Sequence, residues 1–374
     1  MTSCASAVRG GCAALIAAAI ATASPAAAAR PHDSVGWRST AVPIVNFSSD
    51  DGTGYGLRLN LYEYDGDAVP YRRKYSAQVF ATTGGKWVHR LLVDLPHLRP
   101  GERLEAELAY EKEEYANYHG GLPDARLELY SRNQKTFRQA MPQARATWTR
   151  SLTEPWRWRL EARISHASIE PNAGIGSVLR DLDPPGRSGG VFCTVKTALR
   201  RDRRDNYNDS QSGQLASLEV AYGFGRDGWP GGVRTGVEHR GFRRLAPGVV
   251  LAHWLRGDAV SGNQPFYEEL SLGSSSTVRG LAAARDRGEC RLVGNVELRA
   301  AGLPLWPRRQ VHLGAVVFLD GGQIFTLEDG PTHDHWRRGQ GLGLRLHWHS
   351  TIVRADYSRS GDRTGLYITF GQVF

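Results

Sequence analysis

The segment Trp156–Ile164 reads WRWRLEARI and alternates without exception between apolar and charged residues. A period of two places successive side chains on opposite faces of a β-strand. The segment therefore predicts a strand with one apolar face and one charged face. Such a strand fits a soluble sandwich as well as a membrane barrel, so the rest of the chain has to decide. The apolar face comprises Trp156, Trp158, Leu160, Ala162 and Ile164.

The same alternation recurs along the chain, for example in Leu342–Trp348, Arg291–Arg299 and Leu104–Glu111. We count about sixteen such segments, an even number, as in bacterial single-chain membrane barrels. The predicted strands are 41–48, 53–64, 71–83, 86–97, 102–115, 135–150, 156–169, 189–201, 213–225, 233–244, 248–260, 288–301, 310–325, 339–349, 351–359 and 364–374.

The lengths of the connections distinguish the barrel from the sandwich. Outer-membrane barrels have long extracellular loops and short periplasmic turns, whereas a sandwich has no reason to sort its loops by parity. We therefore predict an all-β fold, a transmembrane antiparallel β-barrel of about sixteen strands. Long connections follow odd-numbered strands: 117–135, 167–188, 261–287 and 326–338. Tight ones follow even-numbered strands: 98–101, 152–155, 245–247 and 350.

The first 29 residues have the features of a secretory signal peptide. Arg9 gives a positive start, Cys12–Ala23 is apolar, and Ala27–Ala29 supplies a small-residue cleavage site. A lipoprotein signal would place its cysteine after the apolar run, whereas Cys12 comes before it. We expect a short N-terminal extension at 30–40 and one outer-membrane barrel domain at 41–374. After Arg30 no segment approaches the roughly 20 apolar residues of a membrane helix.

The chain is basic, with 47 lysines and arginines against 38 aspartates and glutamates and a formal net charge of +9. These charges are scattered along the strands of an exported chain, which argues against a nucleic-acid partner. We expect them to attract the headgroups of outer-membrane lipid and lipopolysaccharide instead. Cys193 and Cys290 are too few for a disulfide framework, and we predict two unpaired thiols.

The loop segment Ser271–Gly288 reads SLGSSSTVRGLAAARDRG and sets one cation, Arg279, in an apolar surrounding. An exposed loop would gain little from that arrangement, whereas a loop folded into the lumen would bring Arg279 to the inward carboxylates of Asp320 and Glu297. A guanidinium fork pairs with a carboxylate through two hydrogen bonds, and Gly280 would allow close backbone approach. We predict a latch between Arg279 and Asp320. The alternative is an ordinary solvated loop arginine.

Two motifs surround the loop arginine and its expected acceptor. The first is Val278-Arg279-Gly280 with the following Asn295–Arg299, and the second is Phe318–Phe325, FLDGGQIF. Both resemble signatures of the BamA/TamA superfamily of outer-membrane barrels, also called the bacterial surface antigen family. In that family the loop arginine pairs with this strand aspartate inside the lumen. The resemblance thus supports the latch, an infolded extracellular loop and location in the bacterial outer membrane. Its supporting residues are Val278, Gly280, Glu297, Phe318 and Gly322.

Weaker matches are Asp202–Asn206, which resembles the family's periplasmic turn after strand 8, and Asn117–Gly120, which resembles a pattern after strand 5. The end of the chain, with Phe370 and Phe374, resembles the terminal signal that barrel-assembly machinery recognises during biogenesis. Leu281 departs from the family, which usually has an aromatic residue there. The family often has a second aromatic residue near Asp286.

Family members that insert or translocate proteins carry periplasmic POTRA repeats, and we expect none in residues 30–40. The resemblance therefore implies outer-membrane protein assembly or translocation with a separate periplasmic partner protein. The alternative is a structural anchor, receptor or pore barrel without insertase or translocase activity. No cofactor is expected.

The first and last strands should form the weakest seam of the barrel. Pro43, in the short first strand, cannot donate to a hydrogen-bond ladder, and the last strand contains Gly365 and Gly371. In the resembled family this seam opens sideways into lipid. Simple closure with an imperfect edge is the other interpretation.

Two short patterns resemble enzyme or metal sites. Gly186–Gly190 matches G-x-S-x-G around Ser188, but that motif requires a strand before it and a helix after it. His333 and His335 offer two metal ligands without an evident third. We therefore predict no catalytic and no metal-binding residue. An outer-membrane hydrolase that uses Ser188 is the third interpretation of the function, after the assembly barrel and the structural barrel.

Overall fold

A computed structural model describes residues 35–226, 231–349 and 351–374. Sixteen strands close into one antiparallel barrel, and two further short strands form a separate sheet. The predicted barrel class and strand number are confirmed. The predicted signal peptide lies outside the described residues.

The barrel strands follow one another around the wall in chain order. They are β1 (Val35–Ser48), β2 (Gly52–Asp65), β3 (Arg73–Thr82), β4 (Lys86–Arg99), β5 (Glu102–Asn117), β6 (Thr136–Ser151), β7 (Trp156–Pro171), β8 (Gly190–Asp202), β9 (Gly213–Gly225), β10 (Gly231–Ala246), β11 (Val249–Asn263), β14 (Cys290–Trp306), β15 (Val311–Phe325), β16 (Arg337–Trp348), β17 (Thr351–Ser360) and β18 (Arg363–Phe370). The small sheet consists of β12 (Leu270–Leu272) and β13 (Asp286–Gly288), and short helices span Asp124–Leu127 and Val178–Leu182.

Several strand ends differ from the predicted spans; β14, for example, continues to Trp306 instead of 301. The first and last strands differ for identifiable reasons. β1 begins at Val35 instead of 41, because β2 continues to Asp65 and pairs with the whole of the longer strand. The last strand ends at Phe370 instead of 374, because Gly371 adopts a φ of +81° and turns the chain out of the sheet. Only glycine takes up such a conformation readily.

The two faces of each strand have different surroundings. On β14 the side chain of Leu298 is 43% exposed on the outside of the barrel, whereas Glu297 is fully buried inside. On β16, Leu344 is 52% exposed and Arg345 is 1% exposed. An apolar outer band with polar groups inside is the pattern of a transmembrane barrel. The alternation seen in WRWRLEARI thus points its tryptophans to lipid and its arginines to the lumen.

The long connections lie at one end of the barrel, which we take as extracellular because short turns mark the periplasmic end. There the loops after β5, β7 and β11 pack together around a buried apolar cluster, which we call the outer cap. Arg285, in the loop after β11, is hydrogen-bonded to Asp124 in the loop after β5. The cluster comprises Ala116, Tyr118, Phe137, Val178, Leu179 and Phe266.

Closure between β1 and β18 is short. In the part of the chain that the structure describes, two pairs of residues cross it, Phe47 with Ile368 and Ser48 with Tyr367, whereas the β1–β2 ladder extends over all of β1. The paired residues lie at the extracellular end of the seam.

Cys193 and Cys290 are free thiols, as predicted. Within the described ranges, no helix is both long enough and apolar enough to span a membrane.

Candidate functional site: the lumenal arginine of the infolded loop

The loop between β11 and β14, residues 264–289, folds into the lumen. Its β12 and β13 pair with each other, with Leu270 opposite Gly288 and Leu272 opposite Asp286. Leu272, Val278 and Leu281 then pack against inward side chains of the wall, including those of β11 and β14. The apolar residues around Arg279 are therefore the loop's contact with the inner wall of the barrel.

Arg279 and Asp320 form a two-pronged ion pair. Nε of Arg279 donates to Oδ2 of Asp320 at 2.8 Å, and Nη2 donates to Oδ1 at 2.8 Å. The backbone N–H of Arg279 also donates to Oδ2, at 3.0 Å. Both residues are almost completely buried, at 0% and 4% exposure. The carboxylate thus fixes both the side chain and the backbone of the loop at this point.

The remaining terminal nitrogen of the guanidinium binds two further carboxylates. Nη1 of Arg279 donates to Oε1 of Glu297 at 2.8 Å and to Oδ2 of Asp356 at 3.0 Å. These acceptors stand on β14 and β17, and Asp320 stands on β15. One loop residue therefore joins three strands of the wall.

An aromatic ring completes the surroundings of the guanidinium. The central carbon of Arg279 lies 3.3 Å from the ring centre of Phe318, which is buried on β15. A desolvated cation over an aromatic face gains about 2 kcal/mol. Phe318 thereby supports the plane in which Arg279 meets Asp320.

Glycines provide the space for this loop. Gly280 has a φ of +91°, and its N–H donates to the hydroxyl oxygen of Tyr367 on β18 at 3.1 Å. A Cβ on Gly339 would come within 2.4 Å of the carbonyl oxygen of Arg279. A Cβ on Gly322 would meet Leu272 at 2.6 Å. A larger residue at these wall positions would push the loop away.

Three more arginines share the carboxylates. Arg299 lies 2.8 Å from Glu297, Arg345 lies 2.5 Å from Asp356, and Arg354 lies 3.9 Å from Asp356. Burying charges is costly unless they are paired and hydrogen-bonded. The network therefore holds together as a unit, and removing one member leaves others unpaired.

The sequence prediction omitted Asp356 and Tyr367. Asp356 lies on the inward phase of β17, where it alternates with Arg354 and Ser358. The alternation of the strand made this inward phase readable from the sequence. Asp356 could have been singled out there, because it is the only carboxylate within β17. Tyr367 had no comparable signal, since a tyrosine on a barrel strand is as readily an interfacial residue.

The two predicted terminal residues lie in different surroundings. Phe370 is 43% exposed on the outside, whereas Phe374 is buried in the lumen. The ring of Phe374 stacks on Trp254 at 6.3 Å, and the guanidinium of Arg299 lies 5.0 Å from its centre. Their role as an assembly signal remains a prediction.

The family model for the Omp85 superfamily domain matches residues 96–371. The chain belongs to the Omp85 superfamily. The predicted resemblance to BamA-type barrels is thereby confirmed, and this Omp85 barrel is an outer-membrane protein. No curated protein matches the chain in sequence.

Solved structures show the same fold at low sequence identity. BamA from Haemophilus ducreyi lacking POTRA domains 1–3 is 12% identical with a TM-score of 0.62, over 89% of this chain and 70% of that one. CdiB from Escherichia coli is 14% identical with a TM-score of 0.61, over 88% of this chain and 62% of that one. CdiB from Acinetobacter baumannii is 12% identical with a TM-score of 0.54, over 90% and 60%. The Omp85 barrel thus spans less than two thirds of either CdiB chain.

The enzyme-like patterns have the wrong surroundings. Ser188 follows the helix Val178–Leu182 and leads into β8, which reverses the strand-then-helix order of a nucleophile elbow. His333 and His335 are both exposed in the loop after β15. Within the described residues, no group of three or more potential ligands could hold a metal ion.

Proposed function

We propose that this Omp85 barrel assembles or translocates polypeptides at the outer membrane together with a separate periplasmic protein. We propose further that it opens at the seam between β1 and β18. The observation that carries the proposal is the short pairing of that seam.

Among the described residues, the contacts across the seam lie at its extracellular end. The N–H of Ser49 donates to the carbonyl oxygen of Leu366 at 3.0 Å, and the N–H of Leu366 donates to Oγ of Ser49 at 2.8 Å. Arg363 forms a 2.6 Å ion pair with Asp50 beside them. The guanidinium of Arg363 is 44% exposed in this pair, which limits the strength of the pair. Opening the seam would break few hydrogen bonds.

Below this fastening, β1 presents an edge. Residues 35–46 pair with β2 on one side and have no partner strand on the other among the described residues. Unpaired N–H and C=O groups are a template for an added strand, and they are costly to leave in lipid. A client segment in extended conformation would satisfy them.

The wall on the other side of the seam is braced by the infolded loop. Arg279 binds β14, β15 and β17, and Gly280 binds Tyr367 of β18. This arrangement supports a movement in which β1 swings while the C-terminal strands stay together.

A disulfide across the seam tests the proposal. Phe47→Cys with Ile368→Cys places two cysteines at directly opposed positions, and Cys193→Ser with Cys290→Ser removes the native thiols. We expect the wild type in liposomes to accelerate the folding of an unfolded small outer-membrane barrel, and the oxidised seam variant to lose that acceleration until a reductant is added. Folding is measured by the protease resistance of the client.

The matched control is Ala41→Cys with Leu59→Cys, which links opposed residues of β1 and β2. This lock should leave the activity intact, because it does not cross the seam. If the oxidised seam variant folds the client as fast as the control, the seam is not the route.

The outer cap favours the alternative, a structural anchor or receptor barrel. Its buried cluster joins three loops over the mouth of the lumen. A barrel of that kind would accelerate client folding in none of these variants, with or without a periplasmic protein.

A further inference from the structure

Most charged side chains of the lumen have a partner of opposite sign. Arg145 meets Glu107 at 2.5 Å, and Lys196 meets Glu161 at 3.3 Å. The same holds on β11, where Arg256 lies 2.8 Å from Asp258. The wall thus balances its own charges along much of its height.

The periplasmic end of β7 and β8 is different. Arg157, Arg159 and Arg200, which we call the arginine cluster, form no ion pair with any described residue and are not fully buried. Arg157 stands directly opposite Arg200 in the β7–β8 register. Like charges opposed across two strands are destabilising. Because no described residue supplies a counter-charge, this repulsion is not relieved within the wall.

Neighbouring carboxylates do not supply it. Glu238 on β10 binds Arg240 at 2.5 Å and Arg256 at 3.5 Å. Asp202, at the end of β8, binds Arg204 at 2.8 Å. Among the described residues no carboxylate forms an ion pair with the cluster, and we therefore look to another molecule for its counter-ion.

The position of the cluster selects the kind of anion. Arg157 and Arg159 alternate with Trp156 and Trp158, whose side chains face outward and are 39% exposed. The arginines therefore face the lumen, away from lipid headgroups. Guanidinium groups pair well with carboxylates.

We propose that the arginine cluster is a docking site for an acidic segment of a periplasmic protein at the inner mouth of the barrel. This inference rests on the proposed function, because it identifies the chemistry of the separate partner. The segment would place carboxylates between Arg157 and Arg200 and relieve their repulsion.

The test uses the full barrel in nanodiscs of zwitterionic lipid and a fluorescent glutamate oligomer as the probe. The triple variant Arg157→Gln/Arg159→Gln/Arg200→Gln should bind the oligomer about tenfold more weakly than the wild type, as the loss of three exposed ion pairs implies. Fluorescence anisotropy gives the affinity, and heat-dependent gel mobility reports folding.

The matched control is Arg243→Gln/Arg308→Gln/Arg309→Gln, which removes the same charge from exposed positions outside the cluster. It should bind as the wild type does. Equal binding by the cluster variant and the wild type, or equal weakening in both triple variants, would overturn the proposal.

Two further measurements separate the remaining explanations. In nanodiscs containing phosphatidylglycerol the difference between wild type and cluster variant should persist, and its disappearance would overturn the protein partner in favour of lipid phosphate. The seam-locked barrel should bind the oligomer normally. A failure of docking is thus distinguishable from a failure of the seam to open.

Discussion

Arg279 brings one positive charge to three buried carboxylates and leaves no donor nitrogen of its fork unused. Asp320 takes two side-chain bonds and the backbone N–H, while Glu297 and Asp356 share Nη1. The carboxylates are therefore not equivalent. We propose that Arg279 acts as a latch for the loop, with Asp320 as its principal acceptor.

Arg279→Ala should destabilise the barrel more than Asp320→Ala. The first change leaves Asp320 without its cation and removes one bond each from Glu297 and Asp356, which keep Arg299 and Arg345. The second leaves Arg279 with Glu297 and Asp356. Removing one partner of a buried ion pair costs about 3–5 kcal/mol. The measurement is the urea midpoint of the loss of heat-dependent gel mobility. A double variant much less stable than either single one would contradict the pairing, because partners in one contact are not additive.

Gly339→Ala should displace the loop although it removes no hydrogen bond. Its Cβ would lie 2.4 Å from the carbonyl oxygen of Arg279, which is backbone and has little room to move. We expect faster proteolysis within 264–289 and a lower urea midpoint. Gly174→Ala is the control, because a Cβ there meets nothing within 4 Å. Equal behaviour of the two variants would show that the loop tolerates the intrusion.

Among the elements, the loops of the outer cap depend on a buried histidine. Nδ1 of His119 lies 3.0 Å from the carbonyl oxygen of Arg285. Burial, with the nearby charge of Arg285, lowers the pKa of His119 to about 4. A histidine is then neutral in the packed cap and takes up a proton more readily in an opened one.

The cap should therefore loosen in acid. The contribution of His119 is fully present above its unfolded pKa of about 6.5 and is lost as the pH falls toward about 4. The protection of the loop amides against hydrogen exchange, taken relative to the intrinsic exchange rate at each pH, should thus fall between neutral pH and about pH 5. In His119→Asn this fall should shrink, and an unchanged fall would assign the effect to other groups.

The strands themselves followed from the sequence, because lipid outside and water inside impose a strict period of two. Their ends did not follow as well. Val35–Thr40 reads as a polar leader, yet β2 supplies it with a partner. In the sequence Phe374 continues the alternation of the last strand, yet the turn at Gly371 directs the end of the chain into the lumen.

At the scale of the molecule, the sequence located the loop arginine and the carboxylates of Asp320 and Glu297, whereas the structure adds the partners that lie farther along the chain. Asp356 and Tyr367 are brought to Arg279 by the curvature of the barrel, which no local pattern encodes. The arginine cluster was equally hidden, because the lack of a counter-charge becomes visible when neighbouring strands are in register. The local periodicity of the sequence thus predicts which face of the sheet a side chain occupies, whereas closure of the barrel decides which side chains become neighbours.

The spread of the latch along the chain also has a consequence for folding. The three carboxylates that bind Arg279 all follow it in the sequence, and Tyr367, which binds Gly280, follows that glycine by 87 residues. Contacts between distant segments form late, because the intervening chain has to be ordered first. During folding the loop is therefore held first by Glu297 and Asp320, and its contacts with Asp356 and Tyr367 form only when β17 and β18 are in place. A chain truncated before β17 would anchor the loop to two strands instead of four, and would block the lumen less firmly.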